Sequence, residues 1–206
     1  MSQATELAHG IEQLGLDVAP EARQKLLAYL ALLQKWNKVF NLTAIRDPQR
    51  MVSHHLLDSL AVLPHLWPGR WLDVGCGAGL PGLVLAVVRP DWHFDMLDSN
   101  SKKTSFVQQA AIELGLGNVG VHCARVEEFH PQVPYDGIIS RAFAEAADFV
   151  TCSRHLLAAG GRWAAMKGAP EPELKRLPSD VSIVRTDTLT VPGLNAARSL
   201  VILKAE

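Results

Sequence analysis

Between Asp73 and Gly82 the chain reads Asp-Val-Gly-Cys-Gly-Ala-Gly-Leu-Pro-Gly, placing four glycines within eight residues. Gly77, Gly79 and Gly82 have the G-x-G-x-x-G spacing, and Gly75 precedes them. Residues without a Cβ let backbone approach a ligand closely, and so many in one turn are costly unless that approach is needed. Pro81 sits where the next helix would begin. Asp73, closing the apolar run before the loop, separates two ligand classes. A carboxylate there repels a pyrophosphate but suits the ammonium and sulfonium of S-adenosyl-L-methionine. The loop therefore matches that cofactor better than a nicotinamide dinucleotide. Asp98-Ser99 lies roughly twenty residues further on, where an acid accepts hydrogen bonds from adenosine ribose hydroxyls. Capping of a helix that starts near Ser101 is the alternative role for Asp98. The stretch Ala124-Arg125-Val126-Glu127-Glu128-Phe129 falls where adenine contacts would lie.

These residues need a scaffold that brings strand ends together. From residue 70 onward the short apolar runs RWLDV, HFDMLD, VGVHCA, YDGIIS and GRWAAMK alternate with helix-like stretches such as SKKTSFVQQAAIELGL and EAADFVTCSRHLLAAGG. Such alternation predicts an α/β fold with a parallel sheet covered on both faces. VSIVRTDTLTV and SLVILKA flank Pro192-Gly193-Leu194-Asn195 with no helix between them, which predicts an antiparallel hairpin at the sheet edge. The first seventy residues read as helical. Pro20 suits a first turn ahead of Leu26, Leu27, Leu30 and Leu33, and Asp47-Pro48 opens QRMVSHHLLDSLAVL. The expected organisation is a helical extension over residues 1–66 and a cofactor-binding domain over residues 67–206, forming one compact unit.

Composition narrows the partners. The 206 residues are 48% hydrophobic and 20% charged, enough for a substantial core. No apolar run approaches a membrane span and the first residues lack a signal-peptide pattern, so a cytoplasmic protein is expected. Asn41-Leu42-Thr43 matches a glycosylation acceptor but carries no weight without a secretory signal. Cys76, Cys123 and Cys152 form no C-x-x-C pair and read as reduced thiols packed as small hydrophobes. A net charge of −1 excludes a protein that coats itself with nucleic acid; an RNA substrate would need a local basic patch. No heptad seam is evident, which leaves a monomer as the expectation.

WNKVFNLTAIRDP, HHLLDSL, DVGCGAGLPG, LDSNSKK, RVEEF, DGIISRAF and MKG occur in this order. From about residue 20 to the end, the chain resembles the RsmG (GidB) family of bacterial small-subunit rRNA methyltransferases. Cys76 and Phe40 depart from the Thr or Ser and the Tyr common at those places. The resemblance implies a class I, Rossmann-like methyltransferase fold whose mostly parallel seven-stranded sheet ends in the antiparallel hairpin. It also implies methyl transfer from S-adenosyl-L-methionine to N7 of a guanosine in the 530 loop of 16S rRNA. The partner would be that RNA or the small ribosomal subunit. Gly75, Leu80, Asp98, Val126, Glu127 and Arg141 carry over as cofactor contacts, alongside Asp73, Gly77, Gly79 and Ser99 of the same loop and strand ends. Arg141 lies nearest the methyl-transfer end.

Guanine N7 bears no proton, so no general base is expected and Arg141 reads as a positioning residue. An ion pair with a strand-end acid such as Asp136 is its alternative role. Lys102, Lys103, Arg125 and Lys167 fall on the rim shared by carboxyl ends of parallel strands, either as phosphate contacts or as solvated charges. His54-His55-Leu56-Leu57-Asp58 lacks a third metal ligand nearby and reads as capping or helix packing; no metal is expected. Asn37 and Asn41, near Trp36, read as polar links between the helical extension and the cofactor domain. Three rival readings stand beside rRNA methylation: a small-molecule methyltransferase closed by the N-terminal helices, a nicotinamide-linked oxidoreductase, and a non-catalytic ribosome assembly factor.

Overall fold

A computed structural model describes residues 2–141, 143 and 145–206, so Ala142 of the ISRAF run lies outside the described residues. Two helices open the chain. In α1 (Gln3–Gln13) the Ser2 hydroxyl accepts the Thr5 N–H at 3.1 Å, satisfying one of the free amides of the first turn. In α2 (Pro20–Phe40) Pro20 takes the first position, and Leu26, Leu30 and Leu33 are fully buried on one stripe. Each such leucine contributes roughly 1.5–3 kcal/mol by leaving water.

Asp47 caps the next helix as expected, its carboxylate accepting the Gln49 N–H at 3.0 Å. The helix is not uniform, however. A short α3 (Pro48–Met51) widens into a π-helical turn over Val52–Leu57 before α4 (Asp58–Leu60). Within it the Asp58 N–H donates to Ser53 O and His55 O. The carbonyl of His54, which a regular α-helix would pair with that N–H, is left for another donor.

The strands fall where the apolar runs lie: β1 (Arg70–Val74), β2 (His93–Asp98), β3 (Val119–Cys123), β4 (Tyr135–Ser140) and β5 (Leu157–Lys167) are parallel. The terminal hairpin also forms, from β6 (Val181–Thr188) and β7 (Ser199–Ala205). The sheet order is β3-β2-β1-β4-β5-β7-β6, with β7 antiparallel to both neighbours. Plain dinucleotide-binding sheets place a sixth parallel strand where β7 stands. Helices α5 (Gly82–Val88), α6 (Ser101–Glu113), α7 (Ala146–Ser153) and α8 (Glu171–Leu174) follow β1, β2, β4 and β5.

One helix-like stretch is corrected. In HLLAAGG the helix ends early, and β5 begins at Leu157 with a register shift between its Leu157 and Arg162 pairings. Gly160, at φ +78°, supplies the left-handed residue this irregularity needs. The cysteines differ among themselves as well: Cys76 is buried, Cys152 is half-buried and Cys123 is exposed, so only the first packs as a core hydrophobe.

Alternation along the strands splits the core into two layers. Trp71, Phe94, Met96 and Ile139 face α1, α2, α5 and the π turn, whereas Leu72, Val74, Leu97 and Ile138 face α7. Sequence-distant contacts clamp the helical extension to the sheet. The buried Tyr29 hydroxyl donates to Ala78 O at 2.7 Å, directly within the glycine loop. Trp36 packs its ring edge-on against Phe106 of α6 at 5.6 Å. Asn37 and Asn41 do not make the inter-domain link expected of them. Asn37 Oδ1 accepts the Thr43 N–H and Asn41 Oδ1 accepts from Arg46, so both fasten the loop after α2.

Candidate active site

The chain departs on opposite sides of β1 toward β2 and β4, and at such a switch point the carboxyl ends of the strands leave a crevice. Ser140 Oγ donates to Val74 O at 2.8 Å and holds the β1 and β4 ends together. The glycine loop crosses this point. Gly75 and Gly77 have φ of +68° and +56°, a conformation side-chain-bearing residues rarely adopt. A Cβ on Gly75 would meet no atom within 4 Å, so its backbone borders open space. Gly82 has another purpose. A Cβ there would strike the Met96 sulfur and stand 2.8 Å from Asp73 Oδ2, so this glycine permits close packing of α5 on the sheet.

Asp73 lies beneath the loop, completely buried. Its Oδ2 accepts the Gly82 N–H at 2.8 Å, while Oδ1 has no partner among the described residues. Burial pushes its carboxyl up to about 7, against the opposing pull of the Gly82 N–H and the Arg141 charge. A buried carboxylate oxygen without a donor suits a ligand that brings a cation and an N–H.

Asp98, Ser99, Lys103, Arg125, Val126 and Glu127 converge with Gly75 around a cavity of about 340 Å³. They come from the ends of β2 and β3, the start of α6, and the turn Val126–Glu128. Asp98 Oδ2 accepts the Gly77 N–H at 2.9 Å and Oδ1 accepts the Asn100 N–H at 2.8 Å. The helix cap is Asn100, whose Oδ1 accepts the Lys102 and Lys103 N–H groups, so Asp98 is not the cap. Each Asp98 oxygen keeps a further lone pair. Val126 and Glu127 line the same cavity. This cavity has the polarity and size for an adenosine.

A second cavity, about 400 Å³, opens beside it and contains Arg141 and Lys167. Sequence reasoning missed the centre of this cavity, Asp58. That carboxylate is 1% exposed; its Oδ1 accepts Arg198 Nε at 2.9 Å and its Oδ2 accepts Arg141 Nη1 at 3.3 Å. Arg141 also donates to the His54 carbonyl freed by the π turn, at 3.2 Å. The partner of Arg141 is therefore Asp58, not Asp136, which lies at the far end of β4 and accepts the Arg70 N–H at 2.8 Å. Asp58 neither caps a helix nor serves as packing, and the one clue to it was a carboxylate set among Leu56, Leu57 and Leu60, where burial demands partners.

His55 also lines the cavity, with Nε2 3.1 Å from Thr43 Oγ1. Burial and the Arg141 charge pull its imidazole down to about 4, so it is neutral at pH 7. Lys167 Nζ donates to Phe143 O at 2.7 Å and pairs with Glu173 at 2.7 Å. The four expected rim cations thus divide. Lys103 and Arg125 stand at the first cavity and Lys167 at the second, while Lys102 is exposed and lines neither. Gly77, Gly79 and Leu80 shape the loop itself, with Leu80 buried in the core. Arg141 lines the second cavity, and Lys167 links the two, since its Nζ bonds to the carbonyl of Phe143, which lines the first.

Comparison with known proteins places this arrangement. A family model described as GidB, rRNA small subunit methyltransferase G, matches residues 22–201. The chain is 55% identical over 201 residues to the "Ribosomal RNA small subunit methyltransferase G" of Methylobacillus flagellatus, covering 97% of each. It is 53% identical to the protein of that name from Neisseria meningitidis serogroup A, covering 98% of this chain and 99% of the relative. Among solved structures, the glycopeptide N-methyltransferase MtfA complexed with S-adenosyl-L-methionine superposes with a TM-score of 0.64 at 10% identity, covering 74% of this chain and 87% of that one. TrmN from Thermus thermophilus gives 0.57 at 18% identity, with 75% and 53% covered. At such low identity these structures speak for the fold, which is that of the class I methyltransferases.

Proposed function

Because the chain belongs to the GidB, or rRNA small subunit methyltransferase G, family, we propose that it transfers a methyl group from S-adenosyl-L-methionine to N7 of a guanosine in the 530 loop of 16S rRNA. It does so in the cytoplasm, as a monomer, on the RNA or on the small ribosomal subunit. Consistent with this, no helix among the described residues is long and apolar enough to cross a membrane. The observation that carries the reading is a pair of unlike cavities linked by the 2.7 Å bond from Lys167 Nζ to Phe143 O. One is bordered by Gly75 and Asp98 at the glycine loop; the other holds Arg141, Lys167 and Arg198.

The residues fit the cofactor. Asp73 and the loop of Gly75, Gly77, Gly79 and Leu80 take its methionine end, Asp98 and Ser99 the ribose, and Val126 and Glu127 the adenine. When bound, it supplies an electrophilic methyl group on a sulfonium. The chain's own contribution is orientation. Arg141, fixed by Asp58 and the His54 carbonyl, holds the acceptor through a phosphate or the guanine edge. Arg198 and Lys167 extend the same electropositive wall, while Lys102, Lys103 and Arg125 contact flanking phosphates. N7 carries an unshared pair and no proton, so no residue needs to act as a base. Proximity of an aligned pair is worth roughly 7–11 kcal/mol.

The test is chemical mapping. Borohydride–aniline cleavage of small-subunit RNA from a strain lacking the gene should lose one break in the 530 loop, and the purified protein should restore it. An unchanged cleavage pattern in the deletion strain would reject the proposal.

A further inference from the structure

The helical extension carries a surface that neither cavity accounts for. Residues 22–57 hold Arg23, Lys25, Lys35, Lys38, Arg46 and Arg50 but a single acid, Asp47, in a chain whose net charge is −1. At the end of α2 this basic stretch presents two large apolar side chains to solvent: Val39 is 70% exposed and Phe40 is 40% exposed. Lys35 and Lys38 of the same helix, and Arg46 and Arg50 of the segment that follows it, are exposed as well. Among the described residues none of these four cations has a carboxylate within ion-pair distance; Arg46 is held by Asn41 Oδ1 and Arg50 by His54 Nε2. Around the acceptor cavity, by contrast, Arg141, Lys167 and Arg198 are each paired to an acid.

The exposed ring is also held in place. Phe40 packs on Trp36 with centroids 5.3 Å apart, and Trp36 in turn packs on Phe106 of α6. Directly after it the chain reverses at Asn41, in the left-handed conformation at φ 50°, and Thr43 and Ile45 run on to line the acceptor cavity. A fixed aromatic face, bordered by cations without acidic partners and joined to the cavity mouth, is how proteins hold unpaired nucleotides by stacking and phosphate contact.

We infer that the tip of α2, with Phe40 and Val39 flanked by Lys35, Lys38, Arg46 and Arg50, is the docking face for unpaired rRNA nucleotides next to the methylated guanosine. Phe40 stacks a base, and the four cations neutralise phosphates. This rests on the rRNA methyl-transfer reading above and extends it to residues outside both cavities.

Phe40→Leu, Phe40→Trp and the double variant Lys38→Gln/Arg46→Gln test it, using small subunits from cells lacking the gene as substrate. Phe40→Leu should raise KM about tenfold or more, since a stacked base is worth roughly one to two decades of affinity. The value of kcat should stay within about twofold, the S-adenosylmethionine Kd should not move, and Phe40→Trp should retain the wild-type KM. The double variant should bind deproteinised 16S rRNA with a salt dependence shallower by about 1.4–1.8 in slope. Unchanged KM and salt slope in active variants would overturn the inference while leaving the methyl-transfer reading intact. Higher KM on subunits with unaltered binding to deproteinised RNA would assign the face to a ribosomal protein and also overturn it. A wild-type enzyme that methylates no RNA would remove both readings together.

Discussion

Replacing Asp73 by Asn keeps the shape of a fully buried side chain and removes its charge. The carboxyl is raised from 3.8 to about 7 in the folded chain, so its burial destabilises the fold wherever the unfolded chain would ionise it. The sign follows from linkage. Stability is unaffected below about pH 4, falls as pH rises toward 7, and is flat above. At about 1.36 kcal/mol per unit, the full loss is about 4 kcal/mol. His55 acts the other way. Its imidazole is lowered from 6.5 to about 4, so its contribution is intact above pH 6.5 and is lost as pH falls toward 4. Over pH 4–6.5 the two slopes nearly cancel, while Asp95, held at about 2 by His122, Tyr135 and Arg70, acts only below pH 4. Urea denaturation of the cofactor-free protein at intervals from pH 4 to 8 reads this directly. Wild type should be nearly flat from 4 to 6.5, and Asp73→Asn should gain stability with pH over that range, ending about 4 kcal/mol above wild type at pH 7–8. Cofactor binding should reverse the ranking. A bound cation favours the ionised acid, so wild type should release a proton on binding S-adenosylmethionine below pH 7. That release is measurable by calorimetry in buffers of different ionisation enthalpy, and Asp73→Asn should bind more weakly without it. Parallel stability profiles for the two proteins would refute the reasoning.

Three further outcomes are expected. Asp98→Ala should weaken S-adenosylmethionine binding by about 1.5–3 kcal/mol by calorimetry, and it should also lower Tm, because the Gly77 and Asn100 N–H groups lose their acceptor. Tyr29→Phe deletes the hydrogen bond to Ala78 O and should cost about 1–3 kcal/mol in denaturant melts for the unsatisfied carbonyl, with a higher cofactor Kd as the glycine loop loosens. Asp58→Asn leaves Arg141 and Arg198 beside a neutral amide. Both guanidiniums are more than a quarter exposed, so solvent screens their repulsion and the stability cost should be modest, roughly 1–2 kcal/mol. Methyl transfer to small subunits should fall at least tenfold in kcat/KM while cofactor affinity holds.

The strands were legible because each is a short apolar run bounded by glycine, proline or charge, and local chemistry suffices to mark them. The glycine loop was legible for the same reason. Asp98 was found by its spacing from that loop, a distance set by one helix and one strand. The second cavity escaped because its residues meet only through tertiary structure. Asp58 lies 83 residues from Arg141 and 140 from Arg198, and no periodicity links them. Naming Asp136 as the alternative partner for the arginine followed strand proximity, which does not show that the two residues occupy opposite ends of β4. The Tyr29 bond to Ala78 was not legible, since a hydroxyl bonded to a carbonyl 49 residues away leaves no local trace. The π turn was equally silent: VSHHLL has ordinary helical composition, and its widened hydrogen bonding is stabilised by Arg141 from outside the helix.

That widened turn makes chain length itself a functional variable. Removing one residue from Val52–Leu57 would let the segment tighten to regular α-helix with the helices on either side held close to their present orientation, because the wider π turn is what absorbs the extra residue. Every carbonyl of the turn would then be paired inside the helix, and Arg141 would lose the backbone acceptor it now has, although every charged group remained encoded. Substitutions along the turn leave that carbonyl in place, whereas a single-codon deletion would withdraw a contact that belongs to no side chain and that no substitution could restore.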